Sequence, residues 1–298
     1  MSPRLDRRTL CDERFLASLE ALRITARRVA PRGRFAEQRS RELGAGIEFR
    51  DYRPYSPGDD LRRVDWNIHR RLGRLVVRLS EELEDLPLYL LPDISESAWL
   101  EEPPRARAGL QCALALAAVS LGQLDRVGLF PWAEDLRILQ RPASGKGRVH
   151  QMAELLAGLE PAGRTNLTGA LESLRALGLR EGLVCIISDF FDPAGIEAQI
   201  EAMRKLRHRL LLVQLVRSTD REPALSGDWR ILDCEGGEPT EVSLTPSVIA
   251  RYRDAYDRFV ESLTEFARSR GAGLVSVDAD AEVLPQLAAL FEAGVLRV

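Results

Sequence analysis

The amino-acid sequence predicts an α/β protein with a mostly parallel sheet and helices on both faces. Two observations carry this. From residue 86 onward, short runs rich in Leu, Ile and Val alternate with longer segments of helical spacing, the grammar of strand–helix–strand crossovers in a sheet covered on both sides. The chain is also ordinary for a globular domain: 298 residues, 45% apolar and 29% charged. A chain of that length can hide roughly 75% of its unfolded surface.

The elements follow in chain order. Leu10, Phe15, Leu19 and Leu22 recur at near-helical spacing, so residues 10–29 read as an amphipathic helix ended by "APRGRF". An Arg-rich connection leads to the turn signal Ser56-Pro57-Gly58, after which Asp59 or Asp60 can cap a short helix. "RLVVRLSEE" has strand character, "LPLYLLPD" at 86–93 is a buried-strand candidate, and 105–124 is a strongly apolar helix. "RVGLFPW" and "LRILQ" read as two strands joined by a turn at "AED", with helices near 148–159 and 167–178. Next come the strand "GLVCIIS", a helix near 194–206 and the strand "RLLLVQLV". A polar stretch, 217–245, precedes a long helix over 246–270, the strand "GLVSV" and a last helix in "AEVLPQLAALFEAG". The change of grammar divides the chain into an N-terminal part, 1–85, packed on a domain at 86–298.

Charge follows the same division. Residues 1–80 hold 19 Arg and no Lys against 11 Asp and Glu, a net +8, while the whole chain is −3. A basic front and an acidic back suit docking of one on the other, or an interaction arm. Within 46–67, Asp51, Arg53, Asp59, Asp60, Arg62, Arg63 and Asp65 alternate in sign around Tyr52, Tyr55 and Trp66. Arginine forks pair well with carboxylates, so a salt-bridged knot is expected there. Basic residues interleaved with aromatics can bind single-stranded nucleic acid, but the nearly matched acids argue against a nucleic-acid partner.

Cys11, Cys112, Cys185 and Cys234 form no CxxC pair, which suits a reducing compartment and excludes a zinc motif. The longest apolar run, "ALALAAVSLG", is half the ~20 residues a membrane helix needs, and the first residues lack a signal-peptide core. A cytoplasmic protein is expected. His69, His150 and His208 have no nucleophile pattern beside them, and "SGKGR" lacks phosphate-loop spacing, so no enzyme motif is visible.

Chemistry concentrates where oxygen side chains meet strand ends, the place open α/β sheets bind ligands. Asp93, Ser95 and Ser97 follow the strand at 86–93 on alternate positions, which point the same way in extended chain. Asp189 follows "GLVCIIS", and Thr165 lies in a loop before a helix. Two carboxylates and three hydroxyls form a hard-oxygen set that suits Mg²⁺, with Mn²⁺ as a substitute. Carboxylates about 5 Å apart repel by roughly 3 kcal/mol at an effective dielectric of 20, and a divalent ion would offset that. The competing reading is that Ser, Thr and Asp cap the helices that follow, as Asp192-Pro193 suggests.

Asp93-x-Ser95-x-Ser97, Thr165 and Asp189 resemble the metal-ion-dependent adhesion site of von Willebrand factor A domains. The resemblance implies that these five hold Mg²⁺, directly or through water, and that a partner's carboxylate fills the open position. "GIEFRDYRPYSPGDDLRRVDWN", residues 46–67, with "GRLVVRLSEELEDLPLYLLPDISES" and "GLVCIISDFFDP", is similar to the signature of the domain of unknown function 58 family. That family has a von Willebrand A-like core. Its resemblance implies a protein–protein interaction module working with a MoxR-type AAA+ ATPase on client proteins. Pro92 departs from the pattern, since its missing N–H weakens a central strand unless it stands at the strand's end. A metal-free interaction module and a metal-dependent phosphohydrolase using the same carboxylates stay open as alternatives.

Overall fold

A computed structural model of the chain describes residues 10–29, 48–56, 64–81, 87–123, 125–145, 147–223, 225–233 and 239–294. The chain divides into two compact units, one of residues 30–85 and one joining 1–29 to 86–298. The first helix, α1 (Glu13–Val29), therefore belongs to the larger unit.

In the smaller unit, β1 (Glu48–Pro54) precedes α2 (Trp66–Leu72) and β2 (Val76–Glu81). β1 and β2 pair antiparallel from Glu48–Glu81 to Pro54–Val76, with an irregularity between Phe49 and Asp51. The charged alternation of "EFRDYRP" hid β1 from sequence reading, because the ladder is made by backbone groups that carry no side-chain signature. α2 is capped by Asp65, whose Oδ1 accepts from the Ile68 amide at 3.2 Å. The caps expected from sequence, Asp59 and Asp60, lie outside the described residues, as do Arg62 and Arg63 of the expected knot, the side chains of Asp51 and Arg53, and Cys234.

The larger unit continues with β3 (Leu88–Pro92), α3 (Arg105–Gly122), β4 (Val127–Leu129), β5 (Gln140–Ala143), α4 (Arg148–Ala157) and α5 (Leu167–Ala176). Then come β6 (Leu183–Ser188), α6 (Ile196–Arg204), β7 (Arg209–Val216), α7 (Ser218–Arg221), β8 (Gly227–Ile231) and β9 (Thr240–Leu244). α8 (Pro246–Arg270), β10 (Gly273–Asp278) and α9 (Val283–Glu292) complete it. Six strands form one sheet in the order β10-β7-β6-β3-β4-β5. All neighbours are parallel except β5, which runs antiparallel to β4 at the edge. This is the mostly parallel α/β class that the sequence predicts.

Alternate residues of the central strands feed two separate cores, one on each face. Leu88, Leu90, Cys185, Ile187, Leu211 and Val213 join α1, α3, α4 and α9. Tyr89, Leu91, Val184, Ile186, Leu210 and Leu212 join α5, α6 and α8. α3 is buried along nearly its whole length because it lies between the sheet on one side and α1 and α9 on the other. That explains its unbroken apolar composition. Cys112 and Cys185 sit in this core, and burial pushes both thiols up, Cys112 to about 12, so they are inert packing groups. Among the described residues, no helix is long and apolar enough to cross a membrane.

Two expected elements need correction. "LRILQ" is not the strand: pairing with β4 starts at Gln140, opposite Leu129, while Ile138 and Leu139 are exposed. Its apolar letters belong to a surface turn held by the Trp132–Leu136 bridge. The polar stretch 217–245 contains α7 and a two-stranded hairpin, β8 with β9. Trp229 opposes Val242 and Arg230 opposes Glu241, but every residue of β8 is exposed, so no buried face marks the strand in the sequence.

Candidate functional site

Strand order reverses between β3 and β6: the chain lays β4 and β5 on one side of β3, then returns to build β6, β7 and β10 on the other. The crevice beyond the carboxyl ends of such a pair is where open α/β sheets bind ligands. Pro92, the last residue of β3, pairs with Ile187 of β6, and the next amide, Asp93, donates to the Ile187 carbonyl at 2.9 Å. The Pro92 carbonyl accepts from the Trp132 amide at 3.1 Å and Ile94 donates to the Trp132 carbonyl at 2.8 Å. The ladder thus closes around the proline, which costs the sheet little at this terminal position.

The loop after β3 folds on its own aspartate. Asp93 Oδ1 accepts from the Ser95 amide at 2.9 Å, and a single 3-10 turn follows at Ser97–Trp99. Ser95 Oγ lies 3.0 Å from Ser97 Oγ, which lies 3.4 Å from Thr165 Oγ1. Thr165 reaches this point because its loop is laced to the first one. Ala162 donates to the Ile94 carbonyl at 3.0 Å and Glu96 to the Gly163 carbonyl at 2.9 Å. Gly163 takes a positive φ of 80°, which a side chain would resist. Asp93, Ser95 and Thr165 are buried and Ser97 is half-buried.

Asp189 enters from β6. Its neighbour Phe190 is the one non-glycine residue with positive φ (64°) among the described residues, a conformation that costs of order 1–3 kcal/mol. It is held by the Phe190 amide donating to Ser188 Oγ at 3.0 Å, by Gln199 Nε2 donating to its carbonyl at 3.0 Å, and by a buried ring. This kink leaves Asp189 at the strand end, with Oδ1 accepting from the Phe191 amide at 2.9 Å. Burial, and then the charge of Asp93, raise the Asp189 carboxyl to about 7 against the opposing pull of Arg105. Ser95, Ser97 and Thr165 thus stand in one row of hydroxyls, and the two aspartates interact electrostatically at the neighbouring ends of β3 and β6.

Sequence reading missed three further members. Ser188, fully buried, donates from Oγ to Asp93 Oδ2 at 2.7 Å. Arg105, in the first turn of α3, is buried with its guanidinium Nη1 3.7 Å from Asp189 Oδ2. Asp220 of α7 grips that guanidinium at 2.8 and 2.9 Å. A signal for Arg105 existed: two arginines, Arg105 and Arg107, open a strongly apolar helix at the end where the dipole disfavours cations, so a buried one needs a partner.

The capping alternative is real for some groups. Asn166, not Thr165, caps α5, its Oδ1 accepting from the Gly169 amide at 3.0 Å. Asp192 does not cap α6 as expected. Its Oδ1 accepts from the Ala194 amide, and its Oδ2 reaches across to the Leu167 amide at 2.8 Å, while α6 starts after Gly195. None of the five cluster residues stands at the N-cap of a described helix. We expect Asn166→Ala to cost about 1 kcal/mol in urea denaturation.

The remaining donor set, two carboxylates and three hydroxyls, fits an oxygen-seeking divalent cation. Two histidines of the larger unit stand elsewhere: His208 precedes β7 at the opposite sheet end and packs edge-on against Tyr89 at 5.2 Å, and His150 is exposed beside Glu154.

The family model described as "Protein of unknown function DUF58" matches residues 51–262. An uncharacterized protein of Mycobacterium tuberculosis is 28% identical over 291 residues, covering 96% of this chain and 91% of its own. Among solved structures, BatB from Bacteroides thetaiotaomicron is similar with a TM-score of 0.40 and 16% identity, over 70% of this chain and 98% of its own. The manganese-loaded TRAP protein of Plasmodium vivax aligns with a TM-score of 0.32 and 25% identity, over 44% of this chain and 57% of its own.

Proposed function

Because this chain belongs to the DUF58 family, described as being of unknown function, we propose its role from the site itself. It is a von Willebrand factor A-like protein-interaction module whose strand-end cluster takes Mg²⁺ or Mn²⁺ through Asp93, Ser95, Ser97, Thr165 and Asp189. The observation that carries this reading is the hydroxyl chain Ser95–Ser97–Thr165, at 3.0 and 3.4 Å, beside two carboxylates at the sheet's switch point. Caps would not need to converge. When bound, the ion would supply a Lewis-acidic position open to a partner's carboxylate. The chain's own residues do the rest: Ser188 and the Ser95 amide orient Asp93, and the Phe191 amide orients Asp189. The partner we expect is the one the family resemblance implies, a cytoplasmic MoxR-type AAA+ ATPase or its client.

One observation favours a metal-free module of the same fold as second reading: Arg105 already brings a positive charge toward Asp189. Calorimetric titration with Mg²⁺ and Mn²⁺ decides between them. The expected result is saturable binding by the wild-type chain that falls at least tenfold in Asp93→Ala. No heat at millimolar ion from either chain would overturn the metal reading. Capture of the AAA+ ATPase that is lost on chelation would support the partner, and capture indifferent to chelator would favour the second reading.

A further inference from the structure

We propose that Arg105 is the positioning residue of this site and sets its affinity for a divalent cation, acting by charge alone. The inference rests on the metal reading above. A guanidinium has five N–H donors and no acceptor. Here Nε donates to Glu101 Oε2 at 3.2 Å, Nη1 to the Leu215 carbonyl at 3.2 Å and to Asp220 Oδ2 at 2.9 Å, and Nη2 to Asp220 Oδ1 at 2.8 Å and to Glu101 Oε1 at 3.3 Å. All five hydrogens are committed. Asp189 Oδ2, 3.7 Å from Nη1, therefore feels a positive charge that is shared with Asp220 and Glu101, and receives no hydrogen bond from it.

That arrangement differs from an ordinary salt bridge. In a hydrogen-bonded pair the arginine would occupy the carboxylate oxygen and a metal would have to displace it. In this site, Oδ2 keeps its lone pairs while the nearby charge draws the carboxylate to one orientation. The guanidinium cannot swing away or follow, because Asp220 on α7, Glu101 before α3 and the Leu215 carbonyl near the end of β7 hold it from three sides. A second arginine fixes Glu101 in turn: Arg217 Nε lies 3.0 Å from Glu101 Oε2 and Arg217 Nη1 lies 3.0 Å from Asp280 Oδ1. Electrostatics gives the sign of the effect. A fixed cation beside one ligand repels an incoming divalent ion, and the interaction is strong at short range in a buried setting. Arg105 orders the site and at the same time weakens its hold on the ion, which suits a contact that must be made and released.

The test is Mn²⁺ binding to the full chain, followed by the paramagnetic resonance signal of free Mn²⁺, with circular dichroism and melting on the same samples. Arg105→Gln should bind Mn²⁺ about tenfold more tightly, Arg105→Lys within about threefold of wild type. Glu101→Gln leaves the charge of Arg105 less compensated and should bind at least threefold more weakly. A purely structural role predicts the opposite sign for Arg105→Gln, so folded Arg105→Gln with equal or weaker binding overturns the proposal. Should that variant not fold, Glu101→Gln indistinguishable from wild type overturns it instead. Binding by Arg105→Gln when wild type takes up no Mn²⁺ supports this inference and removes the metal reading for the native chain. No uptake by either removes both.

Discussion

Asp220→Ala should lower folding stability by roughly 3–5 kcal/mol, the cost of leaving one member of a buried pair uncompensated. Asp220 and Arg105 are both buried and share two charge-assisted hydrogen bonds at 2.8 and 2.9 Å. Asp220 Oδ2 also accepts from the Arg217 amide at 2.7 Å, so its loss frees a backbone donor as well. With its main counter-charge gone, the guanidinium retains only Glu101, which is partly exposed, and Asp189, to which it makes no hydrogen bond. Urea denaturation checks this. The double variant Asp220→Ala/Arg105→Met should recover a large part of the loss, since an apolar replacement of both partners leaves no buried charge. A single variant within 1 kcal/mol of wild type would show that water reaches the pair.

The second large effect is a pH dependence of stability that belongs to Asp189. Its carboxyl is raised from 3.8 to about 7, first by burial and then by Asp93. The folded state thus binds this proton more tightly than the unfolded chain. The stabilisation is complete below about pH 4 and is lost as pH rises through 7. Asp189→Asn removes the titration. The variant should match wild type near pH 4 and exceed it by roughly 2–4 kcal/mol at pH 8.5 without divalent ions, at about 1.4 kcal/mol per unit. Saturating Mg²⁺ at pH 8.5 should narrow that gap, because the ion stabilises only the chain that keeps its carboxylate. Denaturation curves of the two chains that stay parallel from pH 4 to 8.5 would sink the claim.

Much of the molecule was legible before its structure. Apolar runs such as "LPLYLLPD" and "RLLLVQLV" announced strands because a strand buried on both faces has no polar alternation to confuse it. β1, the β8–β9 hairpin and the true start of β5 were not legible. The hairpin is exposed and β5 is an edge strand, where backbone pairing is decided by partners, and the letters of β1, "EFRDYRP", are mostly charged. "LRILQ" shows the converse error, an apolar run that the fold leaves partly exposed.

The candidate site divides along the same line. By itself the sequence determined the α/β class and the strand-end loops on which the five candidate oxygen side chains stand, since each follows from local spacing and composition. Only the tertiary structure decided that Thr165 meets Ser97, through the hydrogen bonds that lace two loops 68 residues apart in sequence. It also supplied Ser188 beneath Asp93 and set Arg105, 84 residues before Asp189, against that carboxylate. The physical reason is range. Propensity and periodicity act over a few residues, whereas the charge balance of a buried cluster is a sum over whatever the fold packs together, and no single segment contains it.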